Sequence, residues 1–466
     1  MNSSDSFATL PLADALKKYL LAAGFSNLTP IQAAAIPIAM TGKDVIAKAQ
    51  TGSGKTLAFA LPILHRIKPE LSKPQALILC PTRELAEQVA EQARAAAQYI
   101  ANTKVLTLCG GVPVPPQIAS LKHGANIVVG TPGRVMDHVL KRRLDLSAVE
   151  TFVLDEADRM LDMGFEDELT AIGKALPTQH QTLLFSATFP ATMDNLLEAV
   201  TLDAERVDID SSDSVGNIQQ LVYRVEEHTR LTILQAVLTD EQASTAIVFC
   251  TTKKDTQYVT DALIQSGFSA VGLHGDLEQR DRTAMLAMFA SRSARVLVAT
   301  DVAARGLDIE AVELVINYKV SEETETHIHR IGRTGRAGQK GKAITLASEA
   351  EDIFVARIEE MMNCSLPRKG GQALRFHANR IIAPEYTTIQ LSAGKKDKLR
   401  PGDILGGLTK DAGIENDDIG KIKVTATVSF VAVKLRSVKR AMAFFRDGKV
   451  KGKRMRARKL TPITAV

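Results

Sequence analysis

Asp44-Val-Ile-Ala-Lys-Ala-Gln-Thr-Gly-Ser-Gly-Lys-Thr56 passes from a short apolar, β-rich run into a glycine-rich turn, and then into the helix-like stretch Leu57–His65. Ala49–Thr56 fits the P-loop pattern with Ala in the first Gly position. The order strand, loop, helix is the context that pattern requires. Gly52 and Gly54 allow backbone N–H groups to turn inward as an anion-binding nest at a helix N-terminus. Ala49, Gln50, Thr51, Gly52, Ser53 and Gly54 are thus candidate phosphate-cradle residues. Lys55 is expected to reach the β- and γ-phosphates, and the Thr56 hydroxyl to ligate Mg²⁺. A Gly/Ser-rich turn without function is the plainer alternative, and the downstream residues argue against it.

About a hundred residues downstream, Phe152-Val-Leu-Asp-Glu-Ala-Asp158 delivers carboxylates at the end of another apolar run. Asp155 stands where a metal-holding Asp is expected, largely through water, and Glu156 can accept a proton from an attacking water. An acidic turn after a core strand is common on its own. Downstream of a good P-loop it reads as the second half of a nucleotide site.

Working outward, apolar runs alternate with helix-like segments. Val45–Ala47, Ala76–Leu79, Val105–Leu108, Asn126–Val129, Phe152–Leu154 and Thr182–Phe185 read as strands, with helices such as Glu84–Ile100 between them. Such alternation means βαβ units and a mostly parallel sheet covered on both faces. The polar, turn-rich stretch 208–217 reads as a linker. A second alternation comes next, with strands expected at Thr245–Phe249, Ala270–Leu273, Arg295–Ala299, Leu314–Asn317 and Ala343–Leu346. The two halves thus predict two α/β domains of one architecture, over 1–207 and 218–366. Residues 367–384 read as a second linker. In 385–466, Tyr386–Leu391, helix-like Pro401–Ala412, the β-rich run Lys421–Val433, helix-like Val438–Arg446 and Arg454–Leu460 give a βαββαβ order, a small α+β domain.

The chain has 466 residues and a formal net charge of +5. That total is uneven: 385–466 holds 12 Lys and 7 Arg against 6 Asp and 2 Glu, a net of +11, which leaves −6 for the rest. Such asymmetry points to an anionic partner. No apolar run approaches the ~18–20 residues of a membrane span, and the start of the chain has no basic segment followed by an apolar one. Cys80, Cys109, Cys250 and Cys364 are far apart, which suits reduced thiols rather than a disulfide or zinc framework. A cytoplasmic protein is expected.

Asp155-Glu-Ala-Asp158 spells the signature of the DEAD-box RNA helicases, and the chain resembles that family over about residues 7–365. Gly24-Phe25 and Thr29-Pro-Ile-Gln32 resemble its adenine-reading motif, in which Phe25 would stack on the base and Gln32 would bond its N6 and N7. Pro81-Thr-Arg-Glu-Leu85, Gly110-Gly111 and Thr131-Pro-Gly-Arg134 resemble its RNA-backbone motifs. Ser186-Ala-Thr188 resembles the motif coupling hydrolysis to strand separation. Further matches are Val248-Phe249 with Thr251, His274-Gly-Asp276, Gln279 with Arg280 and Arg282, Ala299-Thr-Asp301, Arg305-Gly-Leu-Asp308 and His329-Arg-Ile-Gly-Arg-Thr-Gly-Arg336. The resemblance implies two tandem RecA-like parallel-sheet domains that use ATP and Mg²⁺. It assigns RNA contacts to Pro81, Thr82, Arg83, Gly111, Thr131, Pro132, Gly133, Arg134, Thr251, Gln279, Arg282 and Thr300. It assigns ribose contact to Asp308, and γ-phosphate contact to Arg333 and Arg336, which are i, i+3 neighbours if helical.

The basic unit resembles the C-terminal RNA-binding domain of DbpA-type helicases, through Leu399-Arg-Pro-Gly-Asp-Ile-Leu-Gly406, Gly413-Ile414 and Ile419-Gly-Lys-Ile422. This implies an RNA-recognition-motif-like domain that binds a hairpin of 23S ribosomal RNA in the maturing large subunit, in a monomeric helicase. Lys395, Lys396, Lys398 and Arg400 form one candidate RNA-binding cluster, and Lys451, Lys453, Arg454 and Arg456 another. Phe430 is the only aromatic in the Lys421–Val433 run, which favours recognition by loops over stacking on the sheet. Two rivals remain at this level: a non-enzymatic ribosome-binding scaffold, opposed by Glu156 and Ser186-Ala-Thr188, and a DNA helicase, opposed by the C-terminal unit.

Overall fold

The computed structural model describes residues 6–49, 52–209, 218–304, 311–335 and 340–464, so most of the expected linker 208–217 lies outside the described residues. The chain forms two compact units: one carries a first sheet, and the other carries a second sheet and the C-terminal domain.

The first sheet holds β1 (Val45–Lys48), β2 (Ala76–Leu79), β3 (Val105–Leu108), β4 (Ile127–Gly130), β5 (Thr151–Asp155), β6 (Gln181–Ser186) and β7 (Glu205–Asp208), in the order β3-β4-β2-β5-β6-β1-β7. Every pairing is parallel. All residues of β2, β4, β5 and β6 are buried, because crossover helices cover both faces of a parallel sheet.

The second sheet holds β8 (Ile218–Arg224), β9 (Ala246–Cys250), β10 (Ala270–Leu273), β11 (Val296–Thr300), β12 (Leu314–Asn317), β13 (Gly341–Ala347) and β14 (Arg368–Gly370). Its order, β10-β11-β9-β12-β13-β8-β14, is the first sheet's order with each strand advanced by seven. The two halves therefore share one topology.

The last four strands are β15 (Tyr386–Leu391), β16 (Ile419–Val424), β17 (Ser429–Lys434) and β18 (Ala457–Lys459), antiparallel in the order β16-β17-β15-β18. This is the order a βαββαβ fold produces. The run Lys421–Val433 resolves into the hairpin β16–β17. The expected helix Pro401–Ala412 is α-helical only to Gly406, and Gly407–Asp411 continue as a π-turn.

Residues 367–384 do not form a free tether. Arg368–Gly370 add the outer strand to the second sheet beside β8. Leu374, Phe376 and Ile381 then pack against that lobe's core, with Phe376 and Phe268 ring centroids 6.1 Å apart. Gln242 Nε2 donates to Arg380 O at 2.6 Å, and Arg295 Nη1 donates to Ala383 O at 3.2 Å. The C-terminal domain then sits against the lobe through hydroxyls. Thr388 Oγ1 lies 2.6 Å from both Ser291 Oγ and Ser293 Oγ, which follow helix Gln279–Ala290. Along β15, Ile389 and Leu391 face the small domain's own core, so Thr388 faces outward. It is nonetheless only 1% exposed. Phe430 and Ala432 lie opposite Gln390 and Thr388 across the ladder and are buried too.

Thr388→Arg places a charge in this buried contact and should detach the C-terminal domain while each part stays folded. Limited proteolysis should then cut within residues 371–384, where the parent chain resists. An unchanged digestion pattern would contradict the contact.

Candidate nucleotide and RNA sites

In a parallel sheet every strand ends on the same edge, and ligands bind there. In the first sheet, β5, β6 and β1 are neighbours. Asp155 ends β5, Ser186 ends β6, and the P-loop leaves β1. Register places Lys48 beside Ser186 and Asp155 beside Phe185. The three expected motifs thus converge.

Gly54 has φ +94°, a left-handed conformation that costs other residues strain. A Cβ there would meet Gln32 Nε2 at 2.5 Å. Gln32 itself donates from Nε2 to Gly54 O at 3.0 Å and accepts from Thr29 N at 2.9 Å. The residue expected to read adenine therefore also ties its helix, Pro30–Met40, to the P-loop; one N–H and one lone pair of its amide remain for a base. Phe25 is 41% exposed and packs edgewise on Phe7.

Lys55 opens helix Lys55–Arg66, with Nζ 3.9 Å from Asp155 Oδ1. Both atoms are buried and, among the described residues, neither has a hydrogen-bond partner. Burial pushes the Asp155 carboxyl up to about 6, with Lys55 pulling the other way. A buried ammonium and carboxylate with unused hydrogen-bonding capacity fit an anionic phosphate and a divalent cation. Glu156 is 3% exposed and holds φ 54°, ψ 53°, an uncommon backbone for a non-glycine residue. Its Oε2 lies 3.5 Å from Arg159 Nε. Asp158 Oδ2 accepts from both N and Oγ1 of Thr188 at 2.9 Å, and Asp158 N donates to Ser186 Oγ at 3.1 Å. The acidic motif is thereby wired to Ser186-Ala-Thr188. Gln50 and Thr51 lie outside the described residues.

The other half of the same edge carries the expected RNA motifs. Pro81-Thr-Arg83 follow β2, Gly110-Gly111 follow β3, and Thr131–Arg134 follow β4. Gly110 N donates to Thr131 Oγ1 at 3.3 Å. A Cβ on Gly111 would overlap the Arg83 guanidinium, so the glycine (φ +67°) makes room for it. Thr82 caps helix Arg83–Ala96 by accepting from Leu85 N at 3.3 Å. Gly133 is exposed, and Pro132 starts helix Pro132–Leu140.

The second lobe repeats the arrangement. Thr251 follows β9, and Thr300 ends β11 in register with Cys250. Arg282 Nη2 donates to Ala303 O at 3.4 Å, and Ala303 N donates to Thr300 Oγ1 at 3.3 Å. Gln279 starts the helix that carries Arg282. Arg330, to which the motif reading gives no role, is fully buried and grips Asp301 with Nε and Nη2 at 2.6 and 2.7 Å. Helix Thr324–Ile331 stops short of Arg333, which is buried in the turn that follows. Asp308 and Arg336 lie outside the described residues.

The two basic clusters of the C-terminal domain meet. Lys451 Nζ donates to Lys398 O at 2.7 Å and to Asp403 Oδ2 at 3.2 Å. Lys396, Lys398, Lys451 and Lys453 rim a groove floored by Leu399, Val450 and Met455, with Asp397 also on its wall, 3.9 Å from Lys453 Nζ. Lys395 and Arg400 flank it and Arg454 is exposed, while Arg456 N donates to Ser392 Oγ at 3.0 Å near the start of β18.

Among the described residues no helix is long and apolar enough to cross a membrane. Three family descriptions match in chain order: DEAD/DEAH box helicase over residues 29–196, helicase conserved C-terminal domain over 229–338, and DbpA RNA binding domain over 388–459. The chain is 47% identical over 437 residues to the ATP-dependent RNA helicase DbpA of Escherichia coli K12, covering 94% of this chain and 95% of that one. It is 43% identical over 364 residues to the DEAD-box ATP-dependent RNA helicase CshA of Bacillus subtilis 168, covering 78% and 74%. Among solved structures, S. cerevisiae Dbp5 bound to RNA and ADP BeF3 matches with a TM-score of 0.73 at 32% identity, over 79% of this chain and 96% of that one.

Gly54→Ala should weaken ATP binding at least tenfold, because the added methyl meets strain and Gln32 together. Circular dichroism should show an intact fold, and equilibrium binding of a fluorescent ATP analogue measures the loss; unchanged affinity would contradict the P-loop geometry.

Proposed function

The chain belongs to the DEAD-box ATP-dependent RNA helicases of the DbpA type, and from that premise we propose that its C-terminal groove anchors it to a hairpin of 23S ribosomal RNA during assembly of the large ribosomal subunit. The observation that carries this reading is the meeting of two basic clusters, some fifty residues apart in sequence, on one small domain. Four lysines and one carboxylate, Asp397, around an apolar floor leave a net positive groove that suits RNA phosphates beside an unpaired base, with sequence reading left to a few contacts.

In the core, Lys55 and the P-loop backbone hold the ATP phosphates, and Phe25 and Gln32 hold the adenine. Thr56 and Asp155 are the residues that would hold Mg²⁺, which when bound neutralises phosphate charge. Glu156 accepts the proton of the attacking water. Arg333 and Arg336 would stabilise charge on the γ-phosphate and Asp308 the ribose, so hydrolysis requires both lobes. Arg83, Thr131 and Arg134 on one lobe, and Thr251, Gln279, Arg282 and Thr300 on the other, take the RNA backbone, and short duplexes open locally. The protein acts as a monomer in the cytoplasm.

Glu156→Gln should lower RNA-stimulated ATP turnover by ~10²–10⁴, the usual contribution of a general base, with ATP binding retained. Turnover unchanged in a steady-state assay would refute that role. The double variant Lys451→Glu/Lys453→Glu, in the full chain, should lose at least tenfold in affinity for the ribosomal hairpin. It should also show a shallower dependence of affinity on salt, since fewer counterions are released. Equal affinity of parent and variant for the hairpin would overturn the anchoring model.

A further inference from the structure

Helix Val114–Lys122 carries no motif, yet Gln117 on it is 7% exposed and lies at the centre of a closed hydrogen-bond set. Its Nε2 donates to Cys109 O at 3.0 Å. Its Oε1 therefore faces the other way, where it accepts from Arg134 Nη1 at 3.0 Å and meets His138 Nε2 at 2.9 Å. Because Oε1 is an acceptor, His138 must carry its proton on Nε2. His138 Nδ1 is buried and, among the described residues, without a partner. Burial pushes that imidazole's pKa down. A neutral Nε2–H ring is thus the form that fits.

Arg134 and His138 are one turn apart on helix Pro132–Leu140, so both can reach one amide. Arg134 Nη1 also donates to Val112 O at 3.1 Å. Both hydrogens of Nη1 are then committed, one to the helix residue Gln117 and one to the loop after Gly110-Gly111. The plane of the guanidinium is fixed, and Nη2 and Nε remain for a ligand. An exposed arginine without such support would lose several rotamers on meeting a phosphate.

We propose that Gln117, itself held by Cys109 and His138, is a positioning residue that presets Arg134 for an RNA phosphate. The inference rests on the RNA-contact role given to Arg134 above. Gln117 acts before RNA arrives: it fixes one edge of the guanidinium so that binding costs less ordering. A glutamine kept only to satisfy buried backbone would affect folding and leave RNA affinity to other groups.

The test measures binding of a fluorescent polyuridylate strand to the full chain with a non-hydrolysable ATP analogue, across a salt series. The variants are Arg134→Ala, Gln117→Leu and the two combined. Arg134→Ala should weaken binding several-fold and lower the slope of log affinity against log salt by about 0.7, the value for one phosphate on a single strand. Gln117→Leu should weaken binding about three- to tenfold, and the double variant should bind no worse than Arg134→Ala alone. If Arg134→Ala changes nothing, the RNA role of Arg134 fails. If Arg134→Ala weakens binding but Gln117→Leu does not, or if its effect persists undiminished in the Arg134→Ala background, the positioning role fails. Should Gln117→Leu not fold, Gln117→Met keeps the side chain's length while removing both the amide donor and the amide oxygen. It should weaken binding as expected for Gln117→Leu, and parent-like affinity overturns the proposal.

Discussion

Parallel strands joined by crossover helices all end on one edge, and this protein's chemistry depends on that constraint. In the first sheet one run of three neighbouring strands, β5, β6 and β1, delivers the acidic motif, Ser186-Ala-Thr188 and the P-loop. The other run, β3, β4 and β2, delivers Gly110-Gly111, Thr131–Arg134 and Pro81-Thr-Arg83. The motifs expected to hold nucleotide and those expected to meet RNA thus share one sheet edge. Asp158, through its bonds to Thr188 and Ser186, links β5 to β6 directly, so a shift at the carboxylates moves the neighbouring loop.

The second sheet repeats this order strand for strand but uses its edge differently. It carries no P-loop. Its strand ends hold Thr251 and Thr300, and the Asp301–Arg330 pair ties the end of β11 to helix Thr324–Ile331. Breaking that pair would leave the buried guanidinium bonded through Nη1 to Lys319 O and Asn317 Oδ1 but without its carboxylate partner, which is destabilising. The strand end carrying Thr300 and the turn carrying Arg333 are therefore mechanically coupled within one lobe.

Much of this is legible in the residues alone. The core strands show as apolar runs, since both their faces are buried, and the motifs show because phosphate chemistry demands particular residues at fixed spacing. What escapes has physical reasons. β7 (Glu-Arg-Val-Asp) and β14 (Arg-Lys-Gly) lie at sheet edges and are mostly exposed, so they carry no apolar pattern. β8 has polar Gln219 and Gln220 inside it and escapes with them. The strap formed by 371–384 looks like a linker because only Leu374, Phe376 and Ile381 in it reach apolar partners. Thr388 reads as one more strand residue, and only the fold shows it meeting Ser291 and Ser293. Gln117 has no sequence signature at all: its importance lies in three partners that the chain brings together from residues 109, 134 and 138. Lys398 and Lys451 are legible as charge, not as one groove.

The C-terminal domain turns one sheet face toward the second lobe through Thr388, and its lysine groove is built from loops instead. In the proposed function this groove directs the ATP-driven core to ribosomal RNA. The most direct measurement is the ATPase rate of the full chain at saturating ATP, with limiting amounts of a 23S ribosomal RNA fragment containing the hairpin, against unrelated RNA of equal length. Stimulation by the ribosomal fragment should be at least tenfold greater. Equal stimulation by both RNAs would contradict it.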